Sequence, residues 1–494
     1  KELFMKDLGK WQLISLLSQG LAMLLGMVET FLVIRILDVG EWGLVQLAVS
    51  IGGALGIYQH LGLVSASTRE ISSAKKDEDI FKIFITSSVV RYFVTIPISV
   101  GLFFGAGKIS QNLYHTSDLI LPLKIYAVTL IFQGVQGILN SVISGTKRFK
   151  HLFIYQVVIA FVNVLIFIPF VYFFKVPGYF YAFLTFNIIS SISLAVLAFK
   201  PLRGKIFMPT KKEFKNLFKE IFSISIAIYI VKILYTNWEK MGNNILGLSN
   251  PPEVVAMYAF ALLYAKKLMT ISDSITTVNI PLFSERFVND FKEFKDSFSK
   301  NFNKIFSAII LVGTSASYFA PTLIRILVGG DKYDQAIPLI APMVFAIVLY
   351  SLVNIINSSV LIPAKMAKSM IGSYIFLIVG TGLSYLILKN MMDVSLAFSW
   401  SMAVGSGMCL FFMIFWIKKR MKFSFFTIDH WVILAQSLAI SLLCNVDSLW
   451  IKIAGLIPFF GLLIWGLFEA DFLKKSDIKS LFGKFSLIMG KNKK

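Results

Sequence analysis

The chain has 494 residues, 56% of them hydrophobic, with a mean hydropathy of +0.75 and a formal net charge of +21. Soluble globular domains are clearly less apolar, and the basic charge comes without an RNA- or DNA-binding motif, so nucleic acid is not an expected partner. The two cysteines, Cys409 and Cys444, fall in separate apolar runs and define no disulfide framework.

Apolar runs of about 20 residues, each long enough to cross a bilayer as a helix, recur from end to end. In chain order they cover 11–34, 42–64, 83–105, 119–143, 152–174, 178–199, 220–247, 254–282, 302–328, 335–362, 370–389, 394–417, 429–446 and 449–468. The runs do not alternate polar with apolar, which argues against a transmembrane barrel. The first run is too long for the core of a cleaved signal. The pattern therefore predicts an all-α polytopic membrane protein with about 14 transmembrane helices.

Loop charge supports the count. With the N-terminus inside, the inner loops and tails carry 35 of the 48 Lys and Arg, and the outer loops carry eight. This is the asymmetry of the positive-inside rule, and it places both termini in the cytoplasm. Five cations remain inside spans: Arg91, Lys232, Lys240, Lys266 and Lys267. Three acids accompany them: Glu29, Glu239 and Asp273.

The most basic internal stretch, KPLRGKIFMPTKKEFKNLFKE at 200–220, separates the first six spans from the next six. Phe214, Leu217 and Phe218, with Ile221 just past its end, recur at helical spacing, as expected of an amphipathic helix on an anionic leaflet. Residues 284–304 read the same way, with Phe287, Phe291, Phe294 and Phe298 set among lysines. The expected organisation is an N-terminal lobe (1–199), a basic amphipathic linker (200–219), a C-terminal lobe (220–417), two further spans (418–468) and a basic tail (469–494). The halves echo each other: Glu29 precedes IRILDVGEWGLVQLAVSI and Glu239 precedes NNILGLSNPPEVVAMYAFALLY. Six spans per half give both the same orientation, as in parallel repeats.

Polar residues in the spans fall on single helix faces. These faces are Ser15, Gln19, Gly26 and Glu29; Gln46, Ser50, Gly53 and His60; Gln133, Gln136, Asn140 and Ser144; Lys232, Thr236, Glu239 and Asn243; Lys266, Thr270, Asp273 and Thr277. Asn354 and Asn357 add to span 10. Uncharged stripes of this kind serve helix packing equally well. The cations outnumber the acids, and intramembrane charges face a bundle interior or a hydrated cavity. The expected assembly is two pseudo-symmetric six-helix lobes around a central, net-cationic cavity. His60 reads as a packing residue, and no histidine shows metal spacing, so neither metal nor cofactor is expected.

Reactive signatures are absent. There is no GxxxxGK[ST] phosphate loop, no HExxH and no GxSxG elbow, and no outer loop is long enough for a catalytic domain. The chain is not expected to be an enzyme or an ATP-driven pump.

RILDVGEWGLVQLAVS, LGLVSASTRE at 61–70 and SGTKRF at 144–149 resemble the polysaccharide flippases of the multidrug/oligosaccharidyl-lipid/polysaccharide exporter superfamily. The residues that carry the likeness are Arg35, Leu37, Gly40, Gly43, Leu61, Gly62, Leu63 and Arg69, with ILGLSNPPEVVAMY and IPLFSE echoing in the second half. The resemblance implies alternating-access flipping of an undecaprenyl-pyrophosphate-linked oligosaccharide across a bacterial inner membrane, in the manner of O-antigen repeat-unit translocases. Membrane lipids and polysaccharide polymerase machinery are the implied partners. On this reading Lys232, Lys240, Lys266, Lys267, Arg91 and Arg69 face the anionic headgroup, and Gln133, Gln136 and Asn140 face glycan. Glu29, Glu239 and Asp273 are the ion-coupling candidates, with Glu239 holding Lys232 or Lys266 when the site is empty. The rivals are a cation- or proton-coupled drug antiporter of the same superfamily, which needs an anionic cavity, and a membrane-embedded glycan polymerase or ligase.

Overall fold

The computed structural model describes residues 2–472 except 75, 147, 201–206, 271, 274–275, 277–278, 280–282, 284–285, 288–289 and 444–448. Among the described residues there are helices and no strands. Cys444, Thr277 and all of IPLFSE except Phe283 lie outside them. Among the described residues helices cover most of each predicted run, and the chain is an all-α polytopic membrane protein. Among the described residues seven helices are individually long and apolar enough to cross a membrane, and a bent pair, taken as one span, makes an eighth. Large apolar side chains on them point outward, with Phe93 83% and Phe104 79% exposed, a surface suited to lipid and not to water.

The chain divides into two compact units. The first comprises Lys1–Ala259 with Ile326–Tyr333, and the second Phe260–Arg325 with Asp334–Lys494.

In the first unit, α1 (Glu2–Ile36) leads to α2 (Val39–Gly56), where the Glu41 carboxylate accepts from the Asp38 amide at 2.8 Å. The second predicted span, 42–64, is not continuous. After α2 comes one 3-10 turn, Ile57–Gln59, then a break with Leu61 at φ 45° and Gly62 at φ 68°, then α3 (Leu63–Ser73). Left-handed backbone suits glycine and costs a leucine; apolar length alone does not reveal such a break. The helix α4 (Asp77–Lys108) follows, its three acids at the first turn matching the helix dipole. The next are α5 (Ile120–Gly145) and α6 (Phe149–Phe199). Lys175, at φ 52° and ψ −128°, divides α6 into two arms, at the junction of the two spans predicted there. The arms return on one another: Arg148 at the start of the first donates to the carbonyls of Leu197 and Ala198 at the end of the second, at 2.6 and 2.9 Å.

The helix α7 (Lys211–Ser249) is one continuous helix spanning the second half of the predicted linker and the seventh predicted span. Thr210 caps it, and Glu213 reaches back to the Thr210 amide at 2.8 Å. Near the C-terminal end of α1, cations satisfy carbonyls that the helix leaves open. Lys175 reaches Ile36 O at 3.0 Å, and Lys332 reaches Ile34 O at 3.2 Å and also Leu37 O; Arg35 of α1 in turn donates to the carbonyls of Ile326 and Leu327, near the end of another helix, at 2.8 and 3.0 Å. One core cluster joins Leu63 and Ile71 of α3, Ile83 of α4, Leu139 and Val142 of α5 and Leu194 of α6.

The helix α8 (Pro252–Lys266) starts in the first unit and ends in the second. A turn at Lys267–Leu268 interrupts the eighth predicted span, so Lys266 and Asp273 do not share one regular helix. The second unit continues with α9 (Phe291–Tyr318) and α10 (Ala320–Val328), bent by 65° just ahead of Pro321. The phenylalanines at 294, 298 and 302 do not lie on a leaflet: all three are buried and pack against Phe423 and Phe425. The i, i+4 spacing that signals an amphipathic helix is equally the spacing of a packing face. The helix α11 (Ile337–Ile356) is almost wholly buried and continues into a π-turn at Asn357–Leu361. The helices α12 (Ala367–Leu388), α13 (Val394–Met421), α14 (Ile428–Leu442) and α15 (Leu449–Glu469) follow: α11 packs on α13 and α14, α12 on α13, and α15 on α14.

Candidate functional site

The first unit contains a buried guanidinium. Arg91, in α4, is 1% exposed. Its Nη2 lies 3.3 Å from His60 Nδ1, and its Nε and Nη1 find no hydrogen-bond acceptor among the described residues. Three elements shape the surroundings. The break after α2 supplies His60. The helix α5 supplies Gly137, where a Cβ would fall 2.7 Å from Arg91 Nη1 and 2.9 Å from Val64 Cγ2, so any larger residue there displaces the guanidinium end or its neighbour. One turn beyond Arg91 in α4, Thr95 donates to Gln59 Oε1 at 3.0 Å, fixing the 3-10 turn beside the break.

Lys232 of α7 is the second cation here. Its side chain is exposed, and it is within electrostatic range of both Arg91 and His60. Tyr229, one turn before it, donates to Tyr58 O at 2.7 Å and ties α7 to the same break. Two like charges and an imidazole with few acceptors form an anion-accepting arrangement, since an unpaired buried cation is costly. The fork of an arginine and the point charge of a lysine are the usual complements of phosphate oxygens.

Farther along α7, Lys240 pairs with Glu239 at 2.9 Å. Ser50 of α2 donates to Lys240 O at 3.0 Å, and Gly53 lies under Lys240 Cε. The predicted stripe of span 2 is thus in part a packing face against α7. Glu29 is buried in α1, with Thr30 Oγ1 3.3 Å from its Oε2.

The remaining predicted residues separate. Gln136 donates to Asn187 O, Asn187 Oδ1 and Ser191 Oγ at 3.0–3.1 Å, joining α5 to α6. Gln133 is half-buried, and Asn140 Oδ1 is buried without a partner among the described residues. Arg69 is exposed on α3. Lys266, Lys267 and Asp273 belong to the second unit, where Asn354 Nδ2 donates to Asp273 at 2.8 Å. Gln59, Thr95 and Gly137 gave no signal in the sequence, because their roles depend on contacts between helices. Among the described residues no three His, Cys, Asp or Glu groups converge as metal ligands.

The fold is that of the MOP-superfamily transporters. The chain superposes on the lipid II flippase MurJ in an inward-closed conformation with a TM-score of 0.69 at 13% identity, covering 94% of this chain and 100% of that one. An inward-facing multidrug-resistance MATE transporter of the MOP superfamily gives 0.68 at 13% identity, covering 83% and 98%. A MOP-superfamily transporter from Pyrococcus furiosus, described by a binding pocket of reversed polarity, gives 0.54 at 15% identity, covering 83% and 94%. No curated protein matches the chain in sequence. Residues 32–338, more than half of the chain, match the family model described as polysaccharide biosynthesis protein, and the chain belongs to that family.

Proposed function

We propose that the protein flips an undecaprenyl-pyrophosphate-linked oligosaccharide across a bacterial inner membrane by alternating access, with both termini cytoplasmic. The observation that carries this reading is Arg91: a buried guanidinium with Nε and Nη1 unpartnered among the described residues, next to the exposed Lys232. A pyrophosphate headgroup supplies the missing acceptors. Arg91 forks onto one phosphate, Lys232 attracts the other, and His60 holds the guanidinium between cycles. Lys240 in the first unit, and Lys266 and Lys267 in the second, are further cations proposed for the headgroup, and Glu29, Glu239 and Asp273 are the carboxylates proposed for ion coupling. Membership of a polysaccharide biosynthesis family and the fold shared with a lipid II flippase support a lipid-linked saccharide as cargo. Polysaccharide polymerase machinery would then consume the flipped unit.

The test is flipping in sealed proteoliposomes, with a fluorescent undecaprenyl-pyrophosphate glycan as substrate. Arg91→Gln should lower the initial rate at least tenfold and Lys232→Ala several-fold, while both proteins keep a single monodisperse elution peak. Parental rates in both variants would remove the site. A protein that moves only small organic cations would replace the flippase with the antiporter.

A further inference from the structure

The two arms of α6 leave an apolar groove between them. It has a volume of about 460 Å³, within the ordinary range for a small-ligand site. Ile154, Val158 and Val162 of the first arm line it, with Ile189, Ile192 and Val196 of the second. Four of these are more than half exposed: Ile154, Val158, Ile192 and Val196. Between His151 and Val162 the first arm rises about 16 Å at 1.5 Å per residue, roughly half of a ~30 Å hydrocarbon core. The groove therefore runs the depth of one leaflet.

Its two ends differ. The apolar residues occupy the deep part, whereas His151 and Leu197 line the mouth; the exposed Lys150 and Lys200 lie just beyond this lining, one residue before His151 and three after Leu197, at the paired ends of the arms. Arg148 keeps that mouth in shape. Its guanidinium is used on the carbonyls of Leu197 and Ala198, and on Thr146 Oγ1 at 2.9 Å, and locks the ends of the arms together. Midway along the base, Tyr155 and Ser190 share a hydrogen bond of 2.6 Å, and Ser193 adds one further hydroxyl to a lining that is otherwise mostly apolar. An apolar slot one leaflet deep, with fixed walls and a cationic rim, has the complementarity of a phospholipid with an anionic head.

We propose that this groove is a binding site for one anionic phospholipid, its acyl chain between the arms of α6 and its phosphate at Lys150 and Lys200. The tail of a polyprenyl-linked cargo is the competing occupant, but such a chain is far longer than one leaflet's depth. The inference stands apart from the flipping reading, since none of these residues belongs to the Arg91 site.

Native mass spectrometry of the full chain, with phosphatidylglycerol and phosphatidylcholine of matched acyl chains at equal concentration, tests it. The expected result is one retained phosphatidylglycerol, favoured several-fold. Lys150→Ala with Lys200→Ala should bring the two lipids to equal retention. Val158→Trp with Ile192→Trp, both at outward-facing positions, should lose the retained lipid of either kind. Charge reversal, Lys150→Glu with Lys200→Glu, gives a second check by disfavouring phosphatidylglycerol. Equal retention by the parent protein would overturn the proposal, as would retention unchanged in the tryptophan variant. Displacement of phosphatidylglycerol by equimolar undecaprenyl phosphate would also overturn it, by giving the groove to the cargo tail.

Discussion

Glu239 and Lys240, adjacent in sequence, form an ion pair of 2.9 Å within α7, with the glutamate side chain 10% exposed and the lysine side chain 23%. Adjacent residues on a helix normally diverge by about 100°, and only the long, flexible lysine stem lets the two heads meet. Two charges inside an apolar run each carry a large desolvation cost, and pairing offsets part of it. Lys240→Ala leaves Glu239 buried with one partner fewer and should cost about 1–3 kcal/mol. Adding Glu239→Gln should restore part of that loss, because a neutral amide no longer demands a counter-charge. Thermal unfolding of the two single variants and the double variant gives the coupling energy; additive losses would mean that the pair contributes nothing.

Gly137 is the position where the smallest change should disturb the Arg91 site. A methyl group there meets Arg91 Nη1 at 2.7 Å and Val64 Cγ2 at 2.9 Å. Overpacking of this size costs about 1–3 kcal/mol, and here the displaced neighbour is the guanidinium itself. Gly137→Ala should reduce flipping of the fluorescent glycan at least several-fold. An alanine variant that flips at the parental rate would show that the position of Arg91 is not critical.

The spans were legible because about 20 apolar residues can be read without knowing what surrounds them. The interruptions were not. Leu61 at φ 45° follows a run that looks helical, and the turn at Lys267–Leu268 interrupts another. Both depend on tertiary contacts that outweigh local helix propensity. The site divides along the same line. Arg91 and Lys232 stand out as cations in apolar runs, but nothing in sequence links them to His60, which reads more naturally as a packing residue. The aromatic stripe of α9 shows the converse: its spacing was plain, while its burial against Phe423 and Phe425 required the fold.

The break after α2 should respond unequally at its two left-handed residues. Gly62→Ala puts a Cβ at φ 68° and should destabilise by about 1 kcal/mol, whereas Leu61→Gly relieves a similar strain at φ 45° but loses some packing. The expected order of melting temperature is Gly62→Ala below parent, with Leu61→Gly close to parent. A Gly62→Ala protein as stable as the parent would mean that the break tolerates another backbone conformation.

The N-terminal end of α7 is held by charge. Lys82 of α4 reaches Glu213 at 2.7 Å, and Glu213 also takes hydrogen bonds from the Thr210 amide and hydroxyl. The lysine first, then Thr210, hold the carboxyl at about 2, below its ordinary 4.5. A depressed carboxyl contributes stability that is present above about 4.5, the unfolded value, and lost as pH falls through about 2. Both groups are reached by solvent, so the contribution is local and screened by salt. Glu213→Gln should therefore speed amide exchange in residues 211–219 several-fold relative to parent at pH 7. The ratio should fall toward one as pH approaches 2, where the parent carboxyl is itself protonating, and also at high salt. A ratio near one at pH 7 would show that hydrophobic contacts of Leu217 with the core of the first unit hold this end of the helix without the ion pair.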